Sequence, residues 1–195
     1  MTRSRCRAAV RVARLGLAGV LTGVLTGVLA SCDSGTTPRT VLPAPLEVDS
    51  PAPAYAARAL AGGSLAFGGD AAQVTLVNVW ATWCTSCREE FAELERLRVA
   101  HGPAGLHVVA VSVDQGGDEK VRRFAEAQGS GFPVVHDRQG RISALYGVVG
   151  LPATYLIGRD GRVRWTMTGS FLADRESLER AIAAELSTLP AAPRN

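Results

Sequence analysis

The strongest pattern in the chain is Val74-Thr75-Leu76-Val77-Asn78-Val79-Trp80, a nearly unbroken apolar run rich in β-branched residues. Such a run suits a central strand covered on both faces. A helix is expected next, from about Cys84 to Ala100. Phe91, Leu94 and Leu97 fall on one side of it, and Arg88, Glu89, Glu93, Glu95, Arg96 and Arg98 elsewhere. Gly102 and Pro103 stop that helix. Residues 106–113 form a second apolar strand. Asp118 is placed to cap a helix over residues 119–128, with Val121, Phe124 and Ala125 inward and Gly129 ending it. Residues 133–136 read as a short strand and 142–146 as a short helix. Two further strands, 153–157 and 163–168, flank an Asp160-Gly161 turn, a strong hairpin signal. Asp174 opens a last helix with Leu178, Ile182 and Leu186 spaced by four. A weaker pattern, centred on Gly62-Gly63, suggests an irregular or hairpin element at 57–67.

Helices alternate with strands early, and a hairpin comes late. This order implies an α/β fold with a mixed central sheet and helices on both faces. No internal repeat is visible.

Before residue 57 the pattern has another character. Residues 1–14 are Arg-rich, residues 15–30 are apolar with small residues, and Leu29-Ala30-Ser31-Cys32 follows. That is the layout of an export signal. The apolar run is short for a membrane span, which needs about 20 residues. Five of the ten prolines lie at positions 38, 43, 45, 51 and 53, within a spacer over residues 32–56. The expected organisation is therefore a signal at 1–31, a linker at 32–56, a folded domain at 57–188 and a flexible tail at 189–195.

Charge adds little beyond this. The net charge of +3 comes from five arginines before Cys32; without them 16 basic residues face 18 acidic ones. A nucleic-acid partner is not expected.

Cysteine usage says more. The four cysteines, Cys6, Cys32, Cys84 and Cys87, are too few for a stapled scaffold. Cys84 and Cys87 stand three apart where a buried strand hands over to a helix, so their sulfurs can meet on one side of a turn. At the helix start, unpaired N–H groups and the helix dipole favour a thiolate. Such placement lowers a cysteine pKa from ~8.5 into the range ~3.5–7.5. Cys84 is then the attacking sulfur and Cys87, one turn inward, the resolving thiol. A purely structural disulfide here would close almost no loop. Zinc needs about four N or S ligands, and His101, His107 and His136 are not at ligand spacing. Haem attachment needs a histidine where Arg88 stands. Neither a metal nor a separate cofactor is expected; the redox group is the cysteine pair itself.

These residues resemble the TlpA/ResA-type branch of the thioredoxin superfamily. The likeness runs through residues 77–91, 108–114 and 150–157 with Asp160-Gly161, and spans roughly residues 57–187. It implies a thioredoxin-like fold and a membrane-tethered domain that exchanges disulfides with exported proteins, for example in cytochrome c maturation. It also implies a membrane electron donor of the CcdA/DsbD kind. Leu29-Ala30-Ser31-Cys32 resembles the lipobox of bacterial lipoproteins; the resemblance implies that Cys32 is the lipidated mature N-terminus, the alternative being an uncleaved signal anchor, and both tether the domain outside the cytoplasm. Pro152 matches the family's cis-proline, leaving the Leu151 backbone free for an incoming peptide. Trp83 is expected to shield Cys84, and Trp80 to lie in the core. Glu90 matches a family glutamate near the active site; if partly buried it could carry a proton to or from the cysteines, and otherwise it is an ordinary solvated helix acid. Asn78 stands where many cytoplasmic thioredoxins carry a buried Asp. Ser86 and Ala92 depart from prolines common in the family. Two alternatives share the fold. One is a copper-binding or copper-delivery module, for which His136 is the available ligand. The other is a thiol peroxidase, whose Pro-x-x-x-Thr/Ser-x-x-Cys arrangement is missing here.

Overall fold

A computed structural model describes residues 44–188. The expected signal segment, Cys32 and the tail at 189–195 lie outside the described residues. The chain first forms an antiparallel hairpin of β1 (Tyr55–Arg58) and β2 (Ser64–Phe67). There follow β3 (Val74–Trp80), α1 (Thr85–His101), β4 (Leu106–Ser112), α2 (Asp118–Ala127) and β5 (Val134–His136). Then come α3 (Arg141–Tyr146), β6 (Ala153–Ile157), β7 (Val163–Thr168) and α4 (Arg175–Ser187). The main sheet has the order β5-β4-β3-β6-β7. β4 runs parallel to both β3 and β5, while β6 is antiparallel to β3 and β7.

β3 is the middle strand, and every one of its residues is buried. Its side chains alternate between faces. Leu76 and Trp80 join one core with Phe91, Leu94, Leu97, Leu178 and Ile182, from α1 and α4. Val77 and Val79 join the other with Tyr55, Phe67, Tyr146 and Tyr155. Asn78 is in step with Leu76 and Trp80, so a polar side chain faces α1. Under that helix the Phe91 ring packs edge-on to Trp80 and Phe124, with centroids 4.6 and 5.1 Å apart.

Three expectations change. The folded unit begins before residue 57: the amide of Asp49 donates to the carbonyl of Val163, that of Ala52 to Gly161, and that of Val163 to Ser50. Ala52 and Tyr55 are buried. The Pro-rich composition concealed this, because backbone pairing and a few buried side chains leave no periodic pattern. Asp118 does not cap α2; Gly117 holds that position and Asp118 lies in the first turn. Its carboxylate is drawn instead to His136 and Arg138. A short 3-10 turn, Phe171–Asp174, precedes α4, and Asp174 makes no side-chain cap bond. Otherwise the expected strands and helices form, within a residue or two at their ends. The hairpin covers the edge of β5, where Leu60 N–H donates to Val134 and Ala59 bridges Val135. This covering satisfies backbone groups that an open edge would leave exposed.

Candidate active site

The site forms where β3 ends. Its last residue, Trp80, is followed by a turn in which Cys84 N–H donates to the carbonyl of Ala81 at 3.1 Å. Cys84 is the N-cap of α1, and its sulfur accepts from Cys87 N–H at 3.2 Å. The Ser86 hydroxyl lies 3.6 Å from the same sulfur. Helix geometry returns Cys87 to the side of Cys84, and the two sulfurs are joined in a disulfide. Cys87 is fully buried, while Cys84 keeps 7% of its surface exposed. Of the pair, Cys84 is the residue that keeps contact with solvent.

Trp83 is 66% exposed. It stands out beside Cys84 rather than folding over it. Trp80 is buried in the core as expected. The Leu151–Pro152 peptide bond is cis. The pairing of Val79 with Ala153 brings Pro152 to the same end of the sheet as the cysteines. Pro152 is buried, its carbonyl accepting from Gly169 N–H, and Leu151 is half-buried. Among the described residues Leu151 makes no backbone hydrogen bond.

Glu90 lies one turn beyond Cys87 and is completely buried. Its Oε1 accepts from Phe171 N–H at 2.7 Å and its Oε2 from Asn78 Nδ2 at 3.0 Å. Burial pushes its pKa up to about 7, against the opposing pull of donors from Phe171, Ser170 and Asn78. A carboxyl so placed exchanges a proton near neutrality. Asn78 also donates to Thr154 Oγ1 at 3.0 Å, and its Oδ1 has no partner among the described residues. Turned over, that amide would present Oδ1 to a protonated Glu90. An amide thus serves either ionisation state, whereas an aspartate would add a second charge.

Several residues of the site escaped the sequence reading. Phe171 and Ser170 belong to the unanticipated 3-10 turn, and Thr154 comes from β6; only folding brings them to Glu90. Asp114 is also buried, and it binds Thr82 and Ser112. An acid closing an apolar strand was the available signal. His136 does not approach the description of a metal ligand: its Nδ1 lies 2.8 Å from Asp118 Oδ1, and its Nε2 lies 2.9 Å from the Asp114 carbonyl. Among the described residues, no group of three or more His, Cys, Asp or Glu is arranged to hold a metal ion. Ala81, which would have to supply a peroxidase's hydroxyl, gives Cys84 only its backbone carbonyl.

A parallel-antiparallel sheet, a helix begun by a Cys-x-x-Cys disulfide and a cis-proline at the same end of the sheet define a protein of the thioredoxin-like fold. Comparison with known proteins agrees. Residues 48–166 match the AhpC/TSA family, and the chain belongs to that family. Among curated relatives, the thiol-disulfide oxidoreductase ResA of Geobacillus thermodenitrificans is 38% identical over 96 residues, 48% of this chain and 53% of the relative. ResA of Geobacillus kaustophilus is 37% identical over 106 residues, 53% of this chain and 58% of the relative. The chain thus spans little more than half the length of these relatives. Among solved structures, a Chlorobium tepidum protein described as thiol:disulfide interchange protein DsbE superposes with a TM-score of 0.67 at 31% identity. That match covers 73% of this chain and 99% of the other.

Proposed function

We propose that this protein is an extracytoplasmic thiol–disulfide oxidoreductase that reduces disulfides of exported client proteins through Cys84 and Cys87. The observation that carries this reading is the placement of the linked sulfurs at the first turn of α1, with Cys84 keeping the pair's remaining exposure and its sulfur receiving a backbone N–H.

In the reduced protein the Cys84 thiolate is stabilised by the Cys87 N–H and the helix start. It attacks one sulfur of a client disulfide. A Cys84–client mixed disulfide forms, and the other client sulfur leaves as a thiolate, then takes a proton. Cys87 next loses its proton, with Glu90 or water as acceptor, and attacks Cys84 Sγ. The second client thiolate leaves and the Cys84–Cys87 disulfide re-forms. Two electrons pass to the client. Trp83 and the Leu151 backbone would hold the client segment, with Pro152 shaping the floor. A membrane donor of the CcdA/DsbD kind would return the two electrons.

The anchor in this reading is a diacylated Cys32 after removal of residues 1–31, with the intervening segment as spacer. Its support is the Arg-rich start, the apolar run and Leu29-Ala30-Ser31-Cys32. No helix among the described residues is long and apolar enough to cross a membrane. Cytochrome c maturation is the client pathway that the family resemblance favours.

Insulin reduction by dithiothreitol, with and without the protein, tests the activity. The wild-type chain accelerates it and Cys84→Ala does not. Cys87→Ser accumulates a mixed disulfide with the client, visible by non-reducing electrophoresis. A wild-type rate equal to that of Cys84→Ala overturns the proposal.

A further inference from the structure

Thr82 opens the turn that ends at Cys84, and its neighbours are not those of an ordinary loop residue. Its N–H donates to Asp114 Oδ2 at 2.8 Å and its hydroxyl to Asp114 Oδ1 at 2.5 Å. The Ser112 hydroxyl also donates to Oδ2, at 2.9 Å, and the Asp114 N–H returns a bond to that hydroxyl at 3.1 Å. Lys120 Nζ lies 3.6 Å from Oδ1. Asp114 is 1% exposed. Burial alone would raise its pKa, but these donors and the lysine outweigh that and hold it below the ordinary range.

This arrangement continues the sheet by other means. The parallel β3–β4 ladder ends at Trp80 and Ser112, and Val113 N–H adds one more bond to the Trp80 carbonyl. Beyond that point the chains diverge, β3 toward the cysteines and β4 toward α2. Asp114 bridges the gap with its side chain. On the far side its backbone carbonyl accepts from His136, whose other ring nitrogen meets Asp118 at the start of α2. The turn before Cys84 is thus tied to two strands and a second helix.

We propose that Asp114 is a positioning residue for Cys84, its buried carboxylate clasping Thr82 so that the 81–84 turn sets the sulfur against the first N–H groups of α1. This inference rests on the thiol chemistry proposed above, with Cys84 as the reactive sulfur. The clasp acts through geometry. A buried carboxylate acting by charge alone would do the opposite, since a nearby negative charge disfavours a thiolate.

The sign of one measurement separates these roles. The reduced full chain is alkylated with iodoacetamide across a pH range, and Cys84 modification is followed by mass spectrometry. Asp114→Ala is expected to raise the Cys84 titration midpoint by at least about half a pH unit, because the sulfur loses its seat on the helix start. Thr82→Val, which removes only the hydroxyl, shifts it the same way by less. Asp114→Asn keeps the shape, accepts from the Thr82 N–H and can donate to the Thr82 hydroxyl, so it stays near wild type. A lowered or unchanged midpoint in Asp114→Ala, or a shift in Asp114→Asn as large as in Asp114→Ala, overturns the proposal. If Asp114→Ala does not fold, as judged by circular dichroism, Thr82→Val decides by the same criterion. The assay needs no client protein, so its failure is distinct from a failure of insulin reduction.

Discussion

At the scale of single residues, the decisive fact is that one carboxyl on α1 is treated unlike the others. Glu89 and Glu93 ride the same helix, but only Glu90 falls on the inward face with Phe91 and Leu94. It is buried against an amide and a backbone N–H, not a cation. Its pKa of about 7 lies above the ordinary 4.5. The folded protein therefore keeps a proton that the unfolded chain releases. Stability falls as pH climbs from about 4.5 to about 7, and levels off above. Glu90→Gln removes that loss. Urea unfolding at pH 5 and pH 8 should show wild type losing on the order of 3 kcal/mol relative to the variant. The same variant should flatten the pH dependence of client reduction around neutrality. The sequence placed Glu90 one turn past Cys87. It carried no sign that Phe171 would arrive from eighty residues away to fix one oxygen, because that contact exists only once α4 has docked.

At the scale of elements, patterning decided most of what formed. β3 is apolar throughout because both its faces are covered. α1 shows one apolar side because only one side meets the sheet. The β6–β7 hairpin follows from Asp160-Gly161: Gly161 has φ of +74°, a region where a side chain is strained. Here the glycine has a second duty. A Cβ on Gly161 would collide with the backbone carbonyl of Gly69. Gly161→Ala is expected to cost about 2 kcal/mol or more, measured by urea unfolding, and to leave the rate of insulin reduction by the folded fraction unchanged. The helix caps were less legible. Asp118 has the right residue type for an N-cap, but the pull of His136 and Arg138 places its carboxylate elsewhere. A cap preference near 1 kcal/mol is easily overridden by such partners.

At the scale of the whole molecule, the N-terminal approach is part of the fold. The stretch from Leu46 to Pro53 threads past β7, the β6–β7 turn and α3. Leu46 N–H pairs with Tyr146, Asp49 N–H with Val163, and the Tyr146 hydroxyl donates to the carbonyl of Pro53. Tyr55 stacks on Phe67, with ring centroids 5.1 Å apart, inside the second core. A chain starting at residue 57 loses these contacts and half of β1, whereas one starting at residue 44 keeps them. The shorter chain should be less stable by at least about 3 kcal/mol, read by thermal unfolding of the two side by side. A chain from residue 57 as stable as one from residue 44 would show that these pairings contribute nothing.

The order of elements, the burial of β3 and the pairing of Cys84 with Cys87 were determined by the sequence alone, because periodicity and i,i+3 spacing act locally. The placement of Cys84 at the helix start belongs with them. Tertiary structure decided what surrounds the sulfurs, with Glu90 held by Asn78 and Phe171 and Thr82 clasped by Asp114, and, away from them, it drew residues 46–56 into the domain. Each of these depends on groups distant in the chain meeting at one point, with a carboxylate or amide buried among partners that local pattern does not encode.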